Sequence, residues 1–101
     1  MNIRVYRTLS ATNPKGKQFA CKLTDSNHIH LVMTLEELVG VVKKLVADEL
    51  AKTCHDPGAQ VTIDFIPFHE MECAFGITTL FCFPFTKKEK KLFWTEFTKE
   101  N

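Results

Sequence analysis

This 101-residue sequence is short of the residues that announce most chemistries. Its four glycines are scattered, so no Gly-rich loop is present to cradle a phosphate. Its four cysteines, Cys21, Cys54, Cys73 and Cys82, form no C-x-x-C pair, which removes the usual signature of a structural zinc site. Charge of one sign is lacking too. The formal net charge is +1, far from the strongly basic balance expected of a domain built around nucleic acid. No apolar run approaches the roughly 18–20 residues of a membrane span. The longest candidate, Ala74 to Phe85, is too short and contains Gly76 and Pro84. The start, Met1-Asn2-Ile3-Arg4-Val5, has no apolar core of a secretion signal, so a cytoplasmic setting with reduced, partly buried thiols is expected.

What remains is an ordinary globular mixture, 45% hydrophobic and 25% charged, long enough for one domain with one core. Phenylalanine is over-used, and six of the nine fall within residues 65–85. A domain of this size has difficulty burying all of them, which raises the prospect of an aromatic interface.

Alternation and punctuation place the elements. Residues 2–9 alternate with Ile3 and Val5 on one parity, predicting a half-buried strand. Asn13-Pro14-Lys15-Gly16 reads as a turn. Residues 17–24 alternate again, with Phe19, Cys21 and Leu23 on one face. A turn at Asp25-Ser26-Asn27 leads to a third strand, His28 to Met33, expected to set Ile29, Leu31 and Met33 inward and His28 and His30 outward. Three strands on short turns predict an antiparallel meander.

A helix starts at Thr34, with Glu37 completing a capping box and Met33 and Leu38 forming a hydrophobic staple. Its apolar stripe reads Leu35, Leu38, Val39, Val42, Leu45, Val46 and Leu50, and Asp56-Pro57-Gly58 stops it. Gln60 to Ile66 reads as a fourth strand with Val61, Ile63 and Phe65 inward. Residues 68–75 are a loop or a helical turn, and residues 77–83 favour a fifth strand. Thr86, with Glu89 three residues on, opens a last helix in which Leu92, Phe93, Glu96 and Phe97 share a face. The predicted class is α+β: a meander, a long amphipathic helix, one or two further strands and a C-terminal helix, in a single domain over residues 1–101.

The run Thr34-Leu35-Glu36-Glu37-Leu38 after a meander, followed by the strand Val61-Thr62-Ile63-Asp64-Phe65, resembles the HicB-like antitoxin family and related small domains of uncharacterised function. The resemblance covers residues 1–66. The family's Pro-Gly pair ahead of the helix has no counterpart in residues 26–33, and residues 67–101 contain no helix-turn-helix. The resemblance implies a small sheet-and-helix scaffold used for protein–protein contact. In size and lack of catalytic groups the chain also resembles phage-type inhibitors of host machinery.

Candidate chemistry is sparse. His28-x-His30 places two imidazoles on one strand face, and His69-x-x-x-Cys73 places two ligands on one helical face if that segment is helical. Neither is zinc-type spacing, and solvent-facing histidines with buried thiols account for them. Cys54 adjoins His55, but sequence neighbours point different ways. Ser10 and Ser26 sit in no nucleophile motif. No enzyme, metal or cofactor is therefore expected.

The C-terminal segment is more informative. Lys87, Lys88, Lys90 and Lys91 precede Phe93 and Trp94. Lysines at a helix start oppose the dipole at a cost of about a few tenths of a kcal/mol each, and a cost without structural return suggests a use. The residues expected to bind a partner are Phe85, Lys87, Lys88, Lys91, Trp94 and Phe97, with aromatics anchoring and lysines steering. The expected partner is a protein. A nucleic acid, helped by Arg4, Arg7, Lys15 and Lys17, is the alternative. A metal- or thiol-dependent enzyme is the second alternative, and edge-to-edge homodimerisation is open. No membrane partner is expected.

Overall fold

A computed structural model describes residues 2–10, 13–23, 28–53, 58, 60–65, 80–83 and 85–99, with backbone alone for residues 9, 10, 13–17 and 80–83. Among the described residues seven elements follow in order: β1 (Asn2–Ser10), β2 (Asn13–Leu23), β3 (His30–Val32), α1 (Leu35–Lys52), β4 (Thr62–Phe65), β5 (Leu80–Phe83) and α2 (Lys87–Phe97). The class is α+β.

The sheet order is β3-β2-β1-β4, with β5 also on β1. The meander is antiparallel throughout, β1 to β2 and β2 to β3. The far edge of β1 is divided between two short strands. β4 runs parallel along its first half, Asn2↔Thr62 to Val5↔Phe65, and Thr62 Oγ1 donates to Asn2 Oδ1 at its start. β5 runs antiparallel along the second half, Arg7↔Phe83 to Ser10↔Leu80. Both strands therefore end at the middle of β1.

Register brings Ile3, Val5, Cys21, Phe19 and Val32 to one face, where they cluster with Leu38, Val39 and Val42 of α1, Phe93 of α2 and Phe85. α1 lies against β2 and β3, and α2 packs beside α1. The opposite face is also covered at its centre, since Tyr6, Thr8 and Ala20 are fully buried. Thr8 Oγ1 donates to Gln18 O at 3.0 Å, which satisfies a buried hydroxyl.

Several expectations shift. Asn13-Pro14-Lys15-Gly16 lies inside β2 rather than in a turn. Pairing jumps from Thr8↔Gln18 to Ser10↔Asn13, so one residue of β1 faces four of β2. Pro and Gly here mark a bulge, where a missing N–H and backbone freedom serve as well as in a turn.

β3 is shorter than expected and its faces are inverted. Val32 is buried, whereas Leu31 is 57% and Met33 61% exposed. The pairs Cys21↔His30 and Phe19↔Val32 dictate this, because β3 must follow the parity of β2. Met33 is thus turned largely to solvent; its backbone N–H donates to Glu37 Oε2 at 3.3 Å, while Thr34 Oγ1 accepts from Glu37 N.

At the end of α1, Glu49 is buried and Leu50 is half exposed. Glu49 lies seven residues after Val42, on the line of the stripe, and Leu50 is one step past it. The Glu49 carboxylate has Lys52 Nζ 3.5 Å away. β4 is trimmed to Thr62–Phe65, with Val61, Ile63 and Phe65 packed on the core as expected. The expectations for residues 24–27, 54–57, 66–79 and 84 lie outside the described residues.

Candidate functional site

α2 is fastened by its first turn. Thr86 Oγ1 accepts from Glu89 N at 3.1 Å, and Glu89 Oε1 accepts from Thr86 N at 2.8 Å, a complete capping box. Glu89 is also buried, and its Oε2 sits 2.9 Å from Arg7 Nε on β1 as an ion pair without hydrogen-bond alignment. One carboxylate thus closes the helix start and ties it to the sheet. A negative charge at this end also offsets the lysines that oppose the dipole.

The second fastening is aromatic. Phe85 lies 5.5 Å from Phe19 and 4.8 Å from Phe65, and is buried. It belongs to the core, which corrects its expected role as a partner anchor. Phe65 packs edge-on to Phe93 at 5.4 Å and to Trp94 at 6.0 Å. Trp94 meets Phe93 at 5.1 Å and Phe97 at 5.7 Å. Such pairs contribute about 0.5–1.5 kcal/mol each beyond area burial. The indole is therefore held by three rings and still 40% exposed.

The outward face of α2 is basic and apolar. Lys87, Lys88, Lys90 and Lys91 are exposed, as is Leu92 at 46%. Lys87, Lys91 and Trp94 follow one another at helical spacing, as do Lys88, Leu92 and Thr95. The acids of α2 do not neutralise this face. Glu89 is turned inward to Arg7, and Glu96 holds Lys99 at 2.8 Å, raising the ammonium above its ordinary pKa. Lys90 lies 5.5 Å from the Phe65 ring centroid, a cation–π contact. At the far end, Lys43 Nζ of α1 donates to Lys99 O at 3.4 Å. The surface presented along α2 is about 16 Å long.

The expected site residues thus divide. Lys87, Lys88, Lys91 and Trp94 share the exposed surface, Phe97 is half-buried at its inner margin, and Phe85 is core. Leu92, expected on the inner face, belongs to the exposed one. Arg7, weighed as a contributor to a basic face, is largely enclosed and committed to Glu89. Its odd parity, shared with Ile3 and Val5, was the available signal.

Other chemistry is muted. Burial pushes the Cys21 thiol up to about 12, so it stays protonated and inert near neutrality. His28 and His30 rings meet edge-on at 4.5 Å, and His30 is held below its ordinary pKa by burial, then by His28 and Lys44. Among the described residues, no three His, Cys, Asp or Glu side chains group to hold a metal ion. Nor is any helix there long and apolar enough to cross a membrane. No family model, curated protein or solved structure matches this chain.

Proposed function

We propose that this chain is a non-catalytic binding protein that acts by protein–protein contact through the outer face of α2. The observation that carries the reading is Trp94, an indole buttressed by Phe65, Phe93 and Phe97 yet 40% exposed. An aromatic already fixed in place loses little conformational entropy on binding, which is how interface anchors gain their leverage. Leu92 offers a second apolar contact on the opposite margin of the exposed face, and the lysines between the two supply steering. The antitoxin-like scaffold over residues 1–66 suits this role, with the sheet and α1 acting as the platform from which α2 is presented.

Trp94 is the sole tryptophan, so intrinsic fluorescence reports on the proposed surface directly. The test is affinity capture from bacterial lysate with the wild-type chain and with Trp94→Ala and Leu92→Asp, each checked for folding by circular dichroism. A protein retained by the wild type and lost by both variants, whose addition shifts Trp94 emission, is the expected result. A partner held equally by all three chains would refute the reading.

A further inference from the structure

We infer that the partner segment received by α2 is acidic, with apolar side chains set among its carboxylates. This rests on the reading of α2 as a docking face and adds the chemistry of its occupant. Two observations point there.

The first is uncompensated charge. Lys87, Lys88 and Lys91 are exposed, and no ion pair engages them among the described residues. Both acids of α2 are committed elsewhere, Glu89 to Arg7 and Glu96 to Lys99. With Glu89 removed from the surface, the described residues of this face carry one sign of charge, on a chain whose total is only +1. A single-sign patch on a near-neutral domain selects for a complementary patch rather than for general polyanion attraction.

The second is the apolar component. Leu92 and Trp94 flank the lysines on opposite margins of the exposed face, one helical turn beyond Lys88 and Lys91 respectively, at 46% and 40% exposure. A partner with charge alone would leave them in water. A nucleic acid would engage lysines and indole by stacking, but it draws on a broad basic field. Arg7, which would extend that field, is withdrawn into its pair with Glu89. The match is a segment with carboxylates facing Lys87, Lys88 and Lys91 and apolar residues on either side of them, one facing Leu92 and another facing Trp94.

The experiment uses the full chain and three fluorescein-labelled probes read by anisotropy: a Glu/Asp peptide containing leucines, the same peptide with Gln/Asn for its acids, and a single-stranded oligothymidylate. The acidic peptide should bind tightest. Its affinity should fall about tenfold between 50 and 300 mM salt, because exposed charges are screened. Lys87→Gln with Lys91→Gln should weaken it roughly fivefold, as two exposed charge contacts are worth a factor of about two or three each. These lysines are exposed, so the double variant tests the surface without disturbing the core. Equal binding of the Gln/Asn peptide, lost in Leu92→Asp, overturns the acidic assignment and leaves the docking face standing. Tighter binding of the oligothymidylate overturns both in favour of nucleic acid. Binding of no probe overturns the acidic assignment, while the docking face is judged separately by the capture experiment.

Discussion

Glu89→Ala should be the most damaging change at a charged residue of α2, because its carboxylate holds both the helix start and the sheet. The carboxylate makes two contacts that a helix-surface glutamate would not. Oε1 accepts from Thr86 N at 2.8 Å, and losing that half of the capping box costs about 1 kcal/mol. Oε2 lies 2.9 Å from Arg7 Nε. Breaking a fully buried ion pair costs about 3–5 kcal/mol, but the Arg7 side chain is 22% exposed and recovers some hydration, so about 1–3 kcal/mol is appropriate here. The sum is about 2–4 kcal/mol, or a melting temperature at least ~8 °C lower for a domain of this size. Urea unfolding followed by Trp94 fluorescence and by far-ultraviolet circular dichroism measures it.

Glu89→Gln separates the two contributions. The amide oxygen can still accept from Thr86 N, so the cap survives and only the charge pairing is lost, with an expected cost of about half to three quarters that of the alanine. A double-mutant cycle with Arg7→Met should give a coupling energy of about 1–3 kcal/mol. A Glu89→Ala protein within about 0.5 kcal/mol of wild type, the scatter of ordinary surface substitutions, would refute the account. So would additive effects of the two substitutions, because the carboxylate would then not link α2 to β1.

Other expectations are simpler. Gly40 lies on the exposed side of α1 with open space where a Cβ would go, so Gly40→Ala should stabilise by about 0.5–1 kcal/mol in the same urea assay. Val32→Ala should cost about 1.5–2.5 kcal/mol by emptying a core position, while Leu31→Ala should stay within about 0.5 kcal/mol; the reverse ranking would invert the faces of β3. His30 is below its ordinary 6.5 in the folded state, so the unfolded chain binds more protons in that range. Stability should therefore hold above pH 6.5 and decline as pH falls through that value toward the folded pKa. Urea midpoints at pH 7.5 and 5.5 should differ less for His30→Gln than for wild type.

The outline of the fold was legible because local physics and tertiary packing agree there. Parity placed Ile3, Val5, Phe19 and Cys21, and Thr86 with Glu89 placed the start of α2. The errors share a cause. In β3 and at the end of α1 hydrophobicity pointed to Leu31 and Leu50, and the structure buries the adjacent Val32 and Glu49; in α2 it pointed to Leu92, and the structure buries Glu89, one turn earlier. A glutamate on a core-facing line looks like a gap in a sequence pattern. It becomes tolerable only when a partner reaches it, and Lys52 for Glu49 and Arg7 for Glu89 do so. The pairing to Arg7 spans most of the chain, so no local window contains it.

The exchange in α2, three residues or about one turn, decides which side chains face solvent. If Leu92 were the buried residue and Glu89 the exposed one, α2 would carry alternating charges and little apolar surface, the profile of a solvated helix. Burying Glu89 removes the one acid that would screen Lys87, Lys88 and Lys91, and the same orientation leaves Leu92 exposed on one side of the lysines and Trp94 on the other. The ion pair to Arg7 therefore does two things at once: it anchors the helix to the sheet, and it sets which face of the helix is turned to solvent. A change that releases Glu89 should reduce both stability and partner affinity, whereas Lys87→Gln with Lys91→Gln should reduce affinity alone. The separation of these two effects is the strongest available evidence on whether α2 is merely part of the core or also the working surface of the molecule.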